Sequence, residues 1–301
     1  MKEKLLVYEL NNFSLNNDEL MLYETVFHNA NGYIGIRSNF EEGYPEKYDT
    51  IRGSYINGFY DISEMKQAEK LYGMAEEKQT MVNVADSQGI LLKIDDEVFS
   101  MFQGTVLESK RLLDMEHGFT SRVIKWKSPK GKEIEITIKR MTSFYQLSLF
   151  TIEYSVKALN FSGNIQFISS HRGDVLNYCN PHDPRVAGES FIYILPEKIE
   201  TENQTSYITS HTGKSGLSLC TGVTNLLSKE GTSCLSKKEN SIMATIDSTI
   251  HMGETVTLTK YTVFTDTIRY SDCKAGAVIE MKKALSLSLN ELYEHQTAYL
   301  N

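Results

Sequence analysis

Glu133-Ile134-Glu135-Ile136-Thr137-Ile138-Lys139 is the stretch that decides the fold. Isoleucine alternates with a polar residue at every step. A period of two puts one row of side chains on a buried face and the other in water. The run before it, Arg122 to Lys127, leads into Ser128-Pro129-Lys130-Gly131, a turn sequence. Residues 118–143 therefore read as an antiparallel hairpin.

Working outward, the same pattern predicts strands at 91–94, 98–101, 147–156, 164–169, 191–195, 207–210, 216–224, 241–247 and 255–265. Thr, Val, Ile and Tyr dominate them, the residues that suit a pleated surface. Short strands broken by Gly- and Asn-rich turns predict a mainly β chain folded as a large antiparallel β-sandwich. The first 80 residues show no such regularity. From Ser271 onward the period changes. Val278, Met281, Leu285, Leu289, Leu292 and Tyr299 fall on one stripe of a single long helix, with Ser271 or Asp272 as its N-cap. The division is a β domain over 1–270 and a helical segment over 271–301.

Composition narrows the function. Lys and Arg number 31 against 39 Asp and Glu, a net charge of −8. That balance, without a basic run, lacks the electrostatic footprint of a nucleic-acid binder. No stretch approaches the roughly 18 apolar residues of a membrane span. Only Leu5, Leu6 and Val7 are consecutively apolar near the start, too few for a secretory signal, so a cytoplasmic protein is expected. The four cysteines are widely spaced and the seven histidines scattered. Neither has the clustering a metal site needs, so no metal is expected.

The residues with chemistry concentrate early. Asn31, Tyr33 and Arg37 lie in one glycine-rich string, Glu41 and Glu42 follow, and Arg52 and Tyr55 come next. Later, His171-Arg172-Gly173-Asp174 opens a long polar loop. His, Arg, Asp and Asn are groups that hydrogen-bond sugars or phosphates. Tyrosines can lie on sugar rings with the hydroxyl wet, which makes Tyr33, Tyr55, Phe59 and Tyr60 a possible platform. Gly32 to Arg37 lacks the spacing of a dinucleotide fingerprint. Glu41 and Glu42, read as strand neighbours, would point to opposite faces and make a poor acid/base pair. A salt bridge from one of them to Arg37 or Arg52 is expected instead.

The string Glu24-Thr-Val-Phe-His-Asn-Ala-Asn-Gly-Tyr-Ile-Gly-Ile-Arg-Ser-Asn-Phe-Glu-Glu42 resembles the opening of glycoside hydrolase family 65, the maltose, trehalose, kojibiose and nigerose phosphorylases. Gly53 to Asp61, Arg111-Leu-Leu-Asp-Met115 with Gly118 and Arg122, Lys139-Arg140 with Ser143, and Leu258-Thr-Lys-Tyr261 continue the likeness in order. Ser38 departs from it, standing where a Gly often follows the Arg. The resemblance implies a supersandwich similar to galactose mutarotase, with the final helix leading to an (α/α)6 barrel that carries the catalytic acid. It also implies glucosyl disaccharides as substrates and inorganic phosphate as co-substrate, with no other cofactor. No catalytic residue is then expected in this chain. Asn31, Tyr33, Arg37, Glu41, Glu42, Arg52, Tyr55, His171 and Arg172 are its carbohydrate-binding or domain-interface candidates. The expected partner is the barrel of the same polypeptide, and an orphaned helix stripe would drive a homodimer. A free-standing carbohydrate-binding module is the alternative reading.

Overall fold

The computed structural model describes residues 6–64, 72–73, 75–180 and 192–301. Two antiparallel sheets lie face to face. The larger has nine strands, in the order Val7–Asn11, Thr105–Asp114, Phe119–Lys127, Glu133–Thr142, Leu149–Ala158, Thr255–Asp266, Ser218–Leu227, Thr205–Thr212 and Ile194–Glu202. The smaller runs Thr232–Lys238, Ser241–Ile250, Gly163–Arg172, Ile90–Ile94 and Glu97–Val98. The isoleucine row turns inward as its alternation requires: Ile134, Ile136 and Ile138 join Trp126, Tyr154, Phe167, Leu92 and Leu258 in one buried core between the sheets. The hairpin pairs Ile124 with Ile136 and Trp126 with Ile134.

Several elements differ from expectation. Val98–Met101 is strand only over Glu97–Val98. The strand expected at 191–195 runs Ile194–Glu202, and Phe191 lies outside the described residues. Val7–Asn11 and Thr105–Asp114 are additional strands, and α1 (Asn17–Val26) is an additional helix. Asn16 caps α1 by accepting from the Glu19 backbone N–H, and Asp18 and Glu19 in the first turn favour its dipole.

The C-terminal stripe belongs to two helices, not one. α2 (Cys273–Leu285) is capped by Asp272 and ends at Ser286; α3 (Leu289–Leu300) begins at Ser288. Ser288 and Glu291 form a reciprocal capping box, a helix-start signal strong enough to interrupt the stripe. Nor is the stripe orphaned. Met281 and Leu292 bury against Met141, Leu149, Tyr261 and Val263, on the outer face of the larger sheet. Leu285 and Tyr299 stay exposed. The sheet thus covers the stripe at Met281 and Leu292.

Candidate functional site

Residues 24–61 meet the turn 143–148 through Asn31, which donates to the Ser143 and Leu147 carbonyls, and the segment 267–272 through Asn57, whose carbonyl accepts from Arg269. Glu24 on α1 is fully buried and anchors the segment. It accepts from Asn39 Nδ2 at 2.6 Å, Thr50 Oγ1 at 2.7 Å and the Ile51 backbone N–H at 2.8 Å. Arg37 donates to Thr25 Oγ1 at 2.7 Å and lies 3.9 Å from Glu24. Asn31 folds the turn ahead of it. Its Oδ1 accepts from the Tyr33 and Ile34 N–H groups, and its Nδ2 donates to the Ser143 and Leu147 carbonyls at 2.7 and 2.9 Å. Gly32 takes φ +86° in this turn, a conformation that favours glycine.

Glu41 and Glu42 correct the strand assumption. They sit in a turn, and both carboxylates converge on one guanidinium. Arg122 donates to Glu41 at 2.6 Å and to Glu42 at 2.8 Å, and Arg140 Nε stands 2.9 Å from Glu41. The partners are therefore Arg122 and Arg140, not Arg37 or Arg52. Arg52 instead pairs with Asp86 at 2.7 Å. Burial would raise the Glu41 carboxyl, but Arg140 and Arg122 hold it below the usual carboxylate range. Asp86 is likewise held low: burial opposes, and Arg52 beside it wins. A general acid must carry a proton at the operating pH. Glu41 is locked as an anion and cannot fill that role.

The cations come from the sheet's own register. Arg111 faces Arg122 across paired strands. Arg140, Ile152, Lys260 and Asn225 form the next cross-strand row. Four basic side chains thus project into the interior, and the turn at 41–42 brings carboxylates to two of them. Arg111 has no carboxylate of its own. It donates to the Ser38 hydroxyl at 2.7 Å and lies over the Phe27 ring at 4.4 Å. Burial first, then Arg122, pushes it down to about 9. Lys260 donates to the Ser170 and Gly89 carbonyls at 2.7 and 3.1 Å, and burial lowers it to about 7.

The remaining candidates separate. The Tyr33 hydroxyl donates to Asp266 at 2.7 Å, and Arg269 packs over its ring at 4.4 Å while bonding Asp266 at 3.0 Å. Tyr33 and Phe59 are buried, so neither presents a ring face to solvent. Tyr55 is partly covered and crowds Gly53, where a Cβ would meet its ring at 2.6 Å. His171 is buried with Nδ1 2.9 Å from Ser206 Oγ; burial, then Lys260, depresses it to about 3, so it is neutral. Arg172 is exposed and pairs with Asp174 at 3.1 Å.

Four candidates, Glu41, Glu42, Arg52 and Arg172, line one cleft of about 670 Å³. It lies on the outer face of the smaller sheet. Tyr33 borders a separate recess of about 270 Å³ with Tyr145, Arg269, Glu280 and Lys283. Among the described residues no group of three or more His, Cys, Asp or Glu could hold a metal ion, and no helix is long and apolar enough to cross a membrane. The site also uses Glu24, Arg111, Arg140 and Lys260, which stand in the family-like motifs without being marked as site candidates, and Asp86 and Asp266, which stand outside those motifs. Arg140 carried a signal, since it continues the inward row of Ile134, Ile136 and Ile138.

The arrangement matches known proteins over nearly the whole chain. Residues 10–301 fit the family model described as glycosyl hydrolase family 65, N-terminal domain. The α,α-trehalose phosphorylase of Geobacillus stearothermophilus is 35% identical over 297 residues, 98% of this chain and 39% of that enzyme. The kojibiose phosphorylase of Halothermothrix orenii is 28% identical over 202 residues, 67% of this chain and 23% of the enzyme. A solved structure ascribed to a kojibiose phosphorylase from the human microbiome superposes with TM-score 0.83 at 18% identity, covering 98% of this chain and 37% of that one. The chain thus spans about two fifths of the trehalose phosphorylase it matches. By its match over residues 10–301, the chain belongs to glycosyl hydrolase family 65 as the family's N-terminal domain.

Proposed function

We propose that this chain is the non-catalytic β domain of a cytoplasmic inverting phosphorylase that cleaves glucosyl disaccharides with inorganic phosphate. One observation carries the reading. The carboxylates of its most family-like segment, Glu24, Glu41 and Glu42, are spent inside the domain on Asn39, Thr50, Arg122 and Arg140.

Inverting phosphorolysis makes modest demands on protein carboxyls. One acid protonates the glycosidic oxygen as its bond to the anomeric carbon breaks. Phosphate is already an anion and attacks the opposite face without the base that water would need. In this reading the acid and the phosphate-binding groups belong to a partner barrel of the same polypeptide. The β domain supports one wall of the substrate pocket. The end of the sandwich built by Asn31, Tyr33 and the 143–148 turn is the surface offered to that barrel, because exposed Tyr145 and Leu147 stand there beside Arg269 and Lys283.

An antibody to this chain, used on a lysate of the source cells, tests the reading. The expected result is a polypeptide more than twice as long as this chain, co-purifying with disaccharide phosphorolysis. Phosphorolysis that co-purifies with a polypeptide of this chain's own size overturns it.

A further inference from the structure

The cleft on the outer face of the smaller sheet is separate from the recess that Tyr33 borders. Its floor is apolar. Leu91 and Ile168 are cross-strand partners, and Met243 lies opposite Ser170 in the next pair. These side chains alternate with the inward core residues Leu92, Phe167 and Ala244, so they face solvent. One wall is aromatic. Tyr44 and Tyr48 are braced by Phe40 and Phe102, with Tyr48 and Phe102 centroids 4.7 Å apart.

The polar rim is electrically balanced. Glu46, Asp86 and Asp174 face Arg52, Arg172 and Lys238, three of each sign. The Glu41 and Glu42 carboxylates are turned inward onto Arg122. Two of the rim pairs, Arg52–Asp86 and Arg172–Asp174, are already joined. A joined pair still has free N–H donors and carboxylate lone pairs. It offers them without net charge, so it suits hydroxyl groups better than an ion. At about 670 Å³ the cleft falls within the roughly 300–1,000 Å³ of small-ligand pockets. A peptide adding as a strand would need a sheet edge. The floor instead lies over the interior strand Gly163–Arg172, which is paired on both sides.

We infer that this cleft is a binding site for a neutral sugar, a mono- or disaccharide whose C–H face lies on Leu91, Ile168 and Met243 while its hydroxyls meet the Arg–Asp pairs. The assignment needs only this chain and does not depend on where catalysis resides.

Calorimetric titration of the purified chain with α,α-trehalose, kojibiose, glucose and inorganic phosphate tests it. Saturable sugar binding in about the millimolar range is expected, with no response to phosphate. Leu91→Lys, on the exposed floor, is expected to weaken it about tenfold with an unchanged thermal midpoint. Leu226→Lys, also exposed but on the larger sheet, is expected to leave binding unaltered. Absence of saturation overturns the proposal. Binding that ignores Leu91→Lys overturns the location, and binding of phosphate in place of sugar overturns the ligand class.

Discussion

Arg122 donates to Glu41 at 2.6 Å across 81 residues of sequence, with both side chains buried. The contact ties the 41–42 turn to the inner face of the larger sheet. Removing one member of a buried pair leaves the other uncompensated, at a cost of about 3–5 kcal/mol. Glu41→Gln takes the paired carboxylate from Arg140 and leaves Arg122 with Glu42 alone, so a loss toward the lower end of that range is expected in urea unfolding. Arg111→Leu removes a guanidinium that has no carboxylate partner and is expected to cost less. Equal losses would contradict this reading of the network.

Lys260 makes stability depend on pH. Its folded-state value is lowered from 10.5 to about 7 by burial. Between those values the unfolded chain holds the proton and the folded chain does not. Stability therefore rises with pH above about 7, by up to about 1.4 kcal/mol per unit. Above 9 the opposing effect enters, because burial raises Cys220 and Cys273 to about 11. The rise is expected between pH 7 and 9, and Lys260→Met is expected to flatten it in thermal unfolding followed across that window.

Tyr33 and Asp266 join the family-like segment to the end of the longest strand. Asp266 also accepts from the Ile268 N–H and pairs with Arg269. Tyr33→Phe leaves the buried carboxylate one donor short, which costs about 1–3 kcal/mol. The expected loss appears in chemical unfolding, together with faster amide exchange at residues 267–270.

Gln296 pins α3 to the sandwich. It is fully buried, accepts from the Phe144 N–H at 2.8 Å and donates to the Gly118 and Thr142 carbonyls. A Cβ at Gly118 would lie 2.7 Å from its Nε2, and φ there is +70°. Both Gln296→Ala and Gly118→Ala are expected to speed exchange throughout α3 while the core strands stay protected.

The sequence showed the sheets because their central strands alternate cleanly, as Ile134 to Ile138 do. It hid the edges. Val7–Asn11 is largely exposed and Thr105–Asp114 mixes charges into both faces, so neither keeps a period of two. The helix break at Ser288 was legible as a capping box but was masked by a stripe that continues through it. The site was harder to read because its geometry is non-local. Glu41 and Glu42 meet Arg122 only once a turn replaces the assumed strand. Lys260 reaches the interior because its row aligns with Arg140 through Ile152, a registration that no single segment encodes.

The proposed role of this domain is to support phosphorolysis without performing it. The most direct measurement incubates the purified chain with inorganic phosphate and α,α-trehalose or kojibiose and follows glucose 1-phosphate. The expected result is no release above the buffer control, because Glu24, Glu41 and Glu42, the carboxylates of the family-like segment, are bonded inside the domain. Release that scales with the concentration of the chain would contradict it.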